Sequence, residues 1–291
     1  MEQAAVYLFP GQGSQVEGMA TWATDHAPDL YALAKELVGE DPFPLVEAST
    51  RYAQPAILVA SLARWRAAGR PPAVGFAGHS LGELSALAAA GALSEEEAVA
   101  LAVARGAAMA QASEGEREQG LLAVIGEGVE EVQALCKERS LYPANENSPK
   151  QLVVGGYRDQ LQGLKEEVEG RGFRAVELKV RGAYHTPLLA AAVPEFEAAL
   201  AKVTFKAPQQ PVVSGLSGLP FSNPAAELAQ ALVTPVRFGA ALAKLWELGG
   251  RTFIDVGPGR VLVRLVRENL PEAEAKALPL PAAVGGEGGR P

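Results

Sequence analysis

The sequence predicts an α/β fold with a smaller unit inserted in its middle. Two observations carry this expectation. Short apolar runs that read as strands alternate with longer stretches of helical periodicity. Between residues 121 and 180 the alternation becomes strand-helix-strand-strand-helix-strand, the order of a ferredoxin-like unit.

Taken in order, residues 6–9 are an apolar run stopped by Pro10-Gly11, a buried strand entering a loop. Residues 30–38 and 55–68 read as helices, 73–77 as a second strand, and 81–90 as a helix with apolar residues at 81, 84, 87 and 88. Ser94-Glu95-Glu96-Glu97 is a capping box opening a helix to about Ala112. Residues 113–120 are charged and contain glycine, as a linker would. The insert follows: strand 121–125, helix 129–138, strands 142–145 and 152–155, helix 159–171, strand 174–180. From Pro187 the chain returns to helix, and 212–213 and 252–256 are further strands of the large unit. The last twenty residues, rich in Pro, Ala and Gly, are expected to be disordered in part. The domains are therefore 1–115 with 186–291 (large, α/β) and 116–185 (small, ferredoxin-like).

Of the 291 residues, 48% are hydrophobic and 21% charged, which suffices for a sizeable core. The formal charge of -8 argues against a nucleic-acid binder. It leaves room for an acidic partner that meets a local basic patch. Cys136 is the single cysteine, so no intrachain disulfide forms, as fits a reducing compartment. Met1-Glu2-Gln3 offers no basic leader region, the apolar stretch 4–10 is short, and no run of 18 apolar residues occurs. The expectation is a soluble, cytoplasmic protein with no membrane span.

Gly78-His79-Ser80-Leu81-Gly82 matches the G-x-S-x-G nucleophile elbow, with a strand candidate before it and a helical pattern after it. Stripped of that context it is a glycine-rich turn with an incidental serine. In context, Ser80 is the candidate nucleophile, and the N–H of Leu81, at a helix start, can stabilise an oxyanion.

A serine nucleophile needs a base, and the chain holds only His26, His79 and His185. His79 adjoins Ser80 on a sharp turn, where neighbours point apart. His26 lies in the polar stretch Thr24-Asp25-His26 and reads as a surface residue. His185 remains. It precedes Thr186-Pro187, an N-cap and first helical position that keep an imidazole neutral. Two partners for it stay open: Asp255, at the end of a strand candidate, or a backbone carbonyl.

Arg105 shares a helix face with Ala98, Leu101, Ala102, Ala108 and Met109. An inward guanidinium demands an acceptor. Either an internal carboxylate pairs with it, or its planar fork receives a substrate carboxylate. Gly11-Gln12-Gly13 follows the first strand but fails the G-x-G-x-x-G pattern, since position 16 is Val; it reads as a loop that brings a backbone N–H to a second site. Gly257-Pro258-Gly259 lacks the Lys-Ser/Thr of a phosphate loop, and no Cys/His cluster has metal-ligand spacing.

These residues together resemble the malonyl-CoA:acyl carrier protein transacylases of fatty acid synthesis and the related acyltransferase domains of polyketide synthases. The resemblance runs through Phe9-Pro10-Gly11-Gln12-Gly13-Ser14-Gln15, Tyr52-Ala53-Gln54-Pro55-Ala56, Gly78-His79-Ser80-Leu81-Gly82-Glu83 and Arg105-Gly106. It continues through Asn145-Glu146-Asn147-Ser148-Pro149, Tyr184-His185-Thr186-Pro187-Leu188 and Val256-Gly257-Pro258-Gly259. It implies a hydrolase-like α/β core with the ferredoxin-like insert. It implies Ser80 as nucleophile, His185 as base with no acid partner, oxyanion N–H groups from Gln12 and Leu81, and Arg105 as the malonyl carboxylate site. The implied reaction is ping-pong acyl transfer from malonyl-CoA to acyl carrier protein. It uses no cofactor beyond the coenzyme A thioester and is carried out by a monomer. Two positions depart from the pattern. Pro235-Val236-Arg237-Phe238 has Arg where many members carry Gln, in a stretch whose main-chain carbonyl orients the histidine. Arg181 stands where Ser is frequent. Arg105 suits methylmalonyl as well as malonyl, while Leu81 in the elbow matches the malonyl type.

Three rival readings have distinct signatures. A serine thioesterase or hydrolase would use the same dyad but has no need of Arg105. A non-catalytic carrier-binding module would show a broken dyad. A nucleotide-binding enzyme needs glycine patterns that fail here.

Overall fold

The computed structural model describes residues 4–279. The chain opens with β1 (Ala5–Phe9), α1 (Met19–His26), α2 (Pro28–Val38), α3 (Thr50–Ala67), β2 (Ala73–Gly78), α4 (Gly82–Ala89) and α5 (Glu95–Ala112). A second set follows: β3 (Gln119–Ile125), α6 (Glu130–Glu138), β4 (Tyr142–Ser148), β5 (Gln151–Tyr157), α7 (Arg158–Gly170) and β6 (Arg174–Glu177). The chain then returns through α8 (Val193–Leu200), β7 (Val212–Val213), α9 (Pro224–Gln230), α10 (Phe238–Glu247), β8 (Thr252–Asp255), α11 (Val261–Asn269) and β9 (Glu274–Ala277).

The large sheet has the order β7-β2-β1-β8-β9, with every pair parallel. Parallel sheets need both faces covered, and the alternation in β1 does this. Ala5, Tyr7 and Phe9 enter a core with α1–α5 and α8, while Val6 and Leu8 enter another with α10 and α11. The second sheet, β4-β5-β3-β6, is wholly antiparallel, as a ferredoxin-like βαββαβ unit requires. Its strands divide the same way. Leu122, Val124, Leu152 and Val154 pack under α6 and α7, whereas Leu121, Ala123 and Val153 join the core of the large sheet. The small sheet is thus seated on the large unit, which brings the segment after β6 over the end of β2.

Several boundaries differ from expectation, each for a local reason. The helix expected at 55–68 begins at Thr50, because Ser49 caps it by accepting the Arg51 N–H and Pro55 is absorbed inside it. The strand expected to reach 180 ends at Glu177; Leu178 still bonds the Leu121 carbonyl, after which the chain peels off toward the large unit. The helix expected from Pro187 begins as a 3-10 turn, Pro187–Ala192, before α8. β9 lies within the last twenty residues, where partial disorder is expected, and pairs with β8. Residues 280–291 of that tail and the reading of Met1–Gln3 fall outside the described residues. The capping box at Ser94 forms as expected, with Ser94 Oγ accepting the Glu97 N–H and Glu97 accepting the Ser94 N–H. Such a box contributes about 1 kcal/mol. Among the described residues no helix is long and apolar enough to cross a membrane.

Candidate active site

Three neighbouring parallel strands, β2, β1 and β8, end at the same edge of the large sheet, where open α/β sheets bind ligands. β2 runs into the Ser80 turn, β1 into the 10–14 loop, and β8 into Gly257-Pro258-Gly259.

Ser80 has φ 56°, a left-handed backbone rare for a residue with a Cβ. The turn is closed by Gly82 N–H to His79 O at 3.0 Å and Glu83 N–H to Ser80 O at 3.1 Å, and His79 N–H reaches Phe9 O at 2.8 Å. Its two glycines are obligatory. A Cβ at Gly78 would overlap the Gly82–Glu83 backbone, and one at Gly82 would overlap the Phe9 carbonyl. The flanking residues point apart as expected: His79 Nε2 meets Asn147 Oδ1 at 2.7 Å, away from the serine.

Ser80 Oγ lies 2.7 Å from His185 Nε2. His185 is buried and left-handed, with φ 64°. Its Nδ1 lies 2.6 Å from the Ala231 carbonyl, and its backbone N–H donates to Leu232 O at 3.1 Å. Both carbonyls follow α9, and helix C-termini leave carbonyls without intrahelical partners. With the Nδ1 proton given to Ala231, Nε2 is the acceptor that faces the serine. Burial first, then the positive Arg105, push the His185 imidazole down to about 3, so it is neutral near pH 7. Burial, rather than the helix end expected from Thr186-Pro187, is the chief cause.

Two expected partners of His185 are corrected. The Arg237 carbonyl does not orient it: His185 Nδ1 is taken by the Ala231 carbonyl, while the Arg237 carbonyl accepts the Ala241 N–H at 3.2 Å in the first turn of α10. Asp255 does not complete a triad: the His185 Nδ1 position is filled by the Ala231 carbonyl, and the Asp255 carboxylate oxygens hold the Gly257 N–H at 3.0 Å and the Leu262 N–H at 2.9 Å. The arrangement is a dyad oriented by a main-chain carbonyl. His26 ends α1 and is half-buried.

Arg105 points inward from α5 and is 3% exposed. Nη1 donates to Gln54 Oε1 at 2.8 Å and Nη2 to Ser80 Oγ at 3.1 Å. Gly106 allows this reach: a Cβ there would stand 2.9 Å from Thr50 O, so α5 lies directly on α3. Among the described residues no carboxylate forms an ion pair with Arg105; Glu83 acts on it at longer range. Burial lowers the guanidinium to about 10, which leaves it charged near pH 7. Glu83, in the first turn of α4, accepts the Gly215 N–H at 2.6 Å, and burial raises its carboxyl to about 7.

Leu81 and Gln12 sit beside this group. Among the described residues neither backbone N–H has a protein acceptor. Gly11 packs on the turn, a Cβ there lying 2.7 Å from His79 O and 3.6 Å from Leu81 N. Two unpaired N–H groups beside a serine, with a neutral imidazole and a cation at its oxygen, are the components of acyl transfer through a tetrahedral oxyanion.

Sequence reasoning passed over three contributors. Gln54 orients Arg105 and is itself held by donating to Thr50 Oγ1 at 2.9 Å; a lone amide in the apolar run 53–63 is the available signal. Asn147 joins His79 to Gln151, donating to Gln151 Oε1 at 2.9 Å. The Ala231 carbonyl has no side-chain signature at all.

The family model of the acyl transferase domain matches residues 35–284. The malonyl CoA-acyl carrier protein transacylase of Salmonella typhimurium is 34% identical, over 96% of each chain. The polyketide biosynthesis protein ThaF of Burkholderia thailandensis is 37% identical over 91% of this chain, which spans only 24% of that protein's length. Among solved structures, the malonyl-CoA:acyl carrier protein transacylase of Xanthomonas oryzae superposes with a TM-score of 0.87 at 34% identity, covering 97% of this chain and 96% of that one. A malonyl-transacylase solved in complex with its type II PKS acyl-carrier protein superposes at 0.85 with 29% identity, covering 96% of each chain. An elbow serine meeting a carbonyl-held histidine, on a fold shared at this level, makes the chain a member of the acyl transferase family, in its malonyl CoA-acyl carrier protein transacylase branch.

Proposed function

We propose that this chain transfers a malonyl group from malonyl-CoA to the phosphopantetheine thiol of acyl carrier protein, in fatty acid biosynthesis. The observation that carries this reading is Arg105: a buried guanidinium without a carboxylate, 3.1 Å from the nucleophile's oxygen. Beside the nucleophile, such a fork favours an anionic acyl chain, and a malonyl thioester supplies a carboxylate two carbons from the carbonyl that Ser80 attacks. A neutral acyl group would leave the fork without its counter-charge.

In the first half-reaction Ser80 Oγ attacks the thioester carbonyl while His185 Nε2 takes the hydroxyl proton. The oxyanion is received by the N–H groups of Gln12 and Leu81. Its collapse breaks the C–S bond, and His185 returns the proton to the departing coenzyme A thiolate. In the second half the carrier's thiol gives its proton to His185, the sulfur attacks the malonyl ester, and the proton returns to Ser80 as the C–O bond breaks. Ala231 keeps the ring oriented throughout. Atoms and charge balance without a metal or an organic cofactor. The solved complex of a related transacylase with its acyl-carrier protein supports a carrier as acceptor. The reading includes a monomeric enzyme acting in the cytoplasm.

Intact mass spectrometry after mixing with malonyl-CoA tests this. The expected result is a malonyl adduct on Ser80 that persists in water and disappears on addition of holo-carrier. No adduct, or one that water clears equally fast, would overturn transfer in favour of hydrolysis or a non-catalytic role.

A further inference from the structure

Arg64 is a second buried guanidinium that the proposed chemistry does not use. It lies in α3, 2% exposed, and among the described residues no carboxylate forms an ion pair with it. Its fork instead joins main-chain carbonyls from two distant segments. Nη1 donates to Gly257 O in the loop after β8, and Nη2 donates to Leu278 O and, at 3.4 Å, to Pro279 O, just past β9. Gly257 is held from its other side too, since its N–H donates to Asp255 Oδ1 at 3.0 Å.

This fixed loop backs the 10–14 loop directly. A Cβ at Gly257 would overlap the Pro10 ring, and one at Gly259 would stand 2.8 Å from Ser14 O. Ser14 Oγ in turn donates to Gly11 O at 2.7 Å, and Gly11 packs on His79–Leu81. Contact is continuous from the Arg64 guanidinium to the backbone around Gln12. An apolar side chain at 64 would fill the space without the cost of burying a charge. What the guanidinium alone supplies is a rigid set of donors that ties separate carbonyls together.

We infer that Arg64 is a positioning residue for the oxyanion-binding loop, and that the end of β9 belongs to the same support. The inference rests on the reading of Gln12 and Ser80 given above. Oxyanion donors act only when correctly placed, and a small displacement costs rate rather than substrate affinity.

The test compares Arg64→Met, Arg64→Lys and Gly259→Ala in the full chain. Gly259→Ala presses on Ser14 without touching Arg64. For each, the rate of Ser80 malonylation is measured per active site, titrated by the amplitude of the acylation burst. The Kd for malonyl-CoA is measured in a Ser80→Ala background. Arg64→Met and Gly259→Ala are expected to slow acylation about tenfold to hundredfold with Kd changed less than twofold, and Arg64→Lys to recover part of the rate. A folded Arg64→Met with wild-type acylation per active site overturns the inference. So does a loss that appears in Kd or only in the number of active sites. If Arg64→Met does not fold, Arg64→Lys decides: wild-type acylation per active site, or a loss that appears in Kd or only in the number of active sites, overturns the inference. A wild-type chain that forms no adduct would instead overturn the transfer reading beneath both.

Discussion

Ser80 and His185 meet at 2.7 Å through their side chains, and each sits on a left-handed backbone, with φ 56° and 64°. Only four non-glycine residues among those described have positive φ, and two of them form this one contact. Left-handed backbone costs about 1–2 kcal/mol per residue that carries a Cβ. The tight turn at Ser80 and the carbonyl anchors at His185 hold that strain in place.

The strain at Ser80 separates stability from activity. Ser80→Ala removes the hydroxyl and keeps the Cβ; Ser80→Gly removes both. Both variants are expected to abolish malonyl transfer. In denaturant unfolding, Ser80→Gly is expected to be more stable than Ser80→Ala by about 1 kcal/mol, the reverse of the usual order of these residues. Equal or lower stability of the glycine variant would show that the turn is unstrained.

Arg105 is the proposed selector of the acyl group. Arg105→Ala is expected to lower kcat/KM for malonyl-CoA relative to acetyl-CoA by about 100-fold, the scale of removing one partner of a buried charge pair. Because Gln54 Oε1 holds Nη1 at 2.8 Å, Gln54→Leu is expected to shift the same ratio by about tenfold while retaining acetyl transfer. An unchanged malonyl-to-acetyl ratio in Arg105→Ala would remove the carboxylate role.

How legible the site was depended on whether a residue acts through its side chain. The elbow glycines, the inward face of Arg105 and the capping box at Ser94 each rest on side-chain pattern, and each is found where the pattern puts it. The partner of His185 is a main-chain carbonyl at the end of the short helix α9, and any residue offers a carbonyl, so no pattern marked Ala231. Asp255 drew attention as an acid at a strand end. Its real work is to hold the Gly257 N–H in the loop after β8 and the Leu262 N–H in the first turn of α11, a duty that looks the same in sequence. Pro55 misled the start of α3, because a proline within a helix reads as a beginning.

Glu83 makes stability depend on pH in a definite direction. Burial raises its carboxyl from 4.5 to about 7, against the lowering effects of the Gly215 N–H and Arg105, with Glu227 adding to the rise. A raised folded-state value means the stabilising contribution is complete below about pH 4.5 and is lost as pH rises through 7, a change on the order of 3 kcal/mol. Asp255, raised to about 6 by burial, acts in the same direction. Glu83→Gln keeps an acceptor for Gly215 and removes the titration. Its stability is therefore expected to fall less than that of wild type between pH 5 and pH 7.5 in buffered unfolding series (~2.5 pH units). Parallel curves would mean that Glu83 does not titrate in this window.

The imidazole gives the opposite sign and a kinetic signature. An ordinary histidine, with a value of 6.5, would be mostly protonated at pH 5.5 and unable to take the Ser80 proton. Burial and Arg105 hold His185 near 3, so the folded free enzyme keeps its base form well into acid. The acylation kcat/KM with malonyl-CoA, which reports the free enzyme, is expected to stay flat from about pH 5 to 8. A fall centred near 6.5 would mean that His185 is open to water and unshifted. Because Arg105 is the second cause of the shift, Arg105→Met is expected to move the acid limb upward, while burial still holds it below 6.5. Stability follows the same proton: the His185 contribution is present above 6.5 and is lost as pH falls from there toward 3, where the folded chain must accept a charge beside Arg105. A folded enzyme that keeps its full acylation rate per active site below pH 6.5 is the outcome expected of a base shielded in this way.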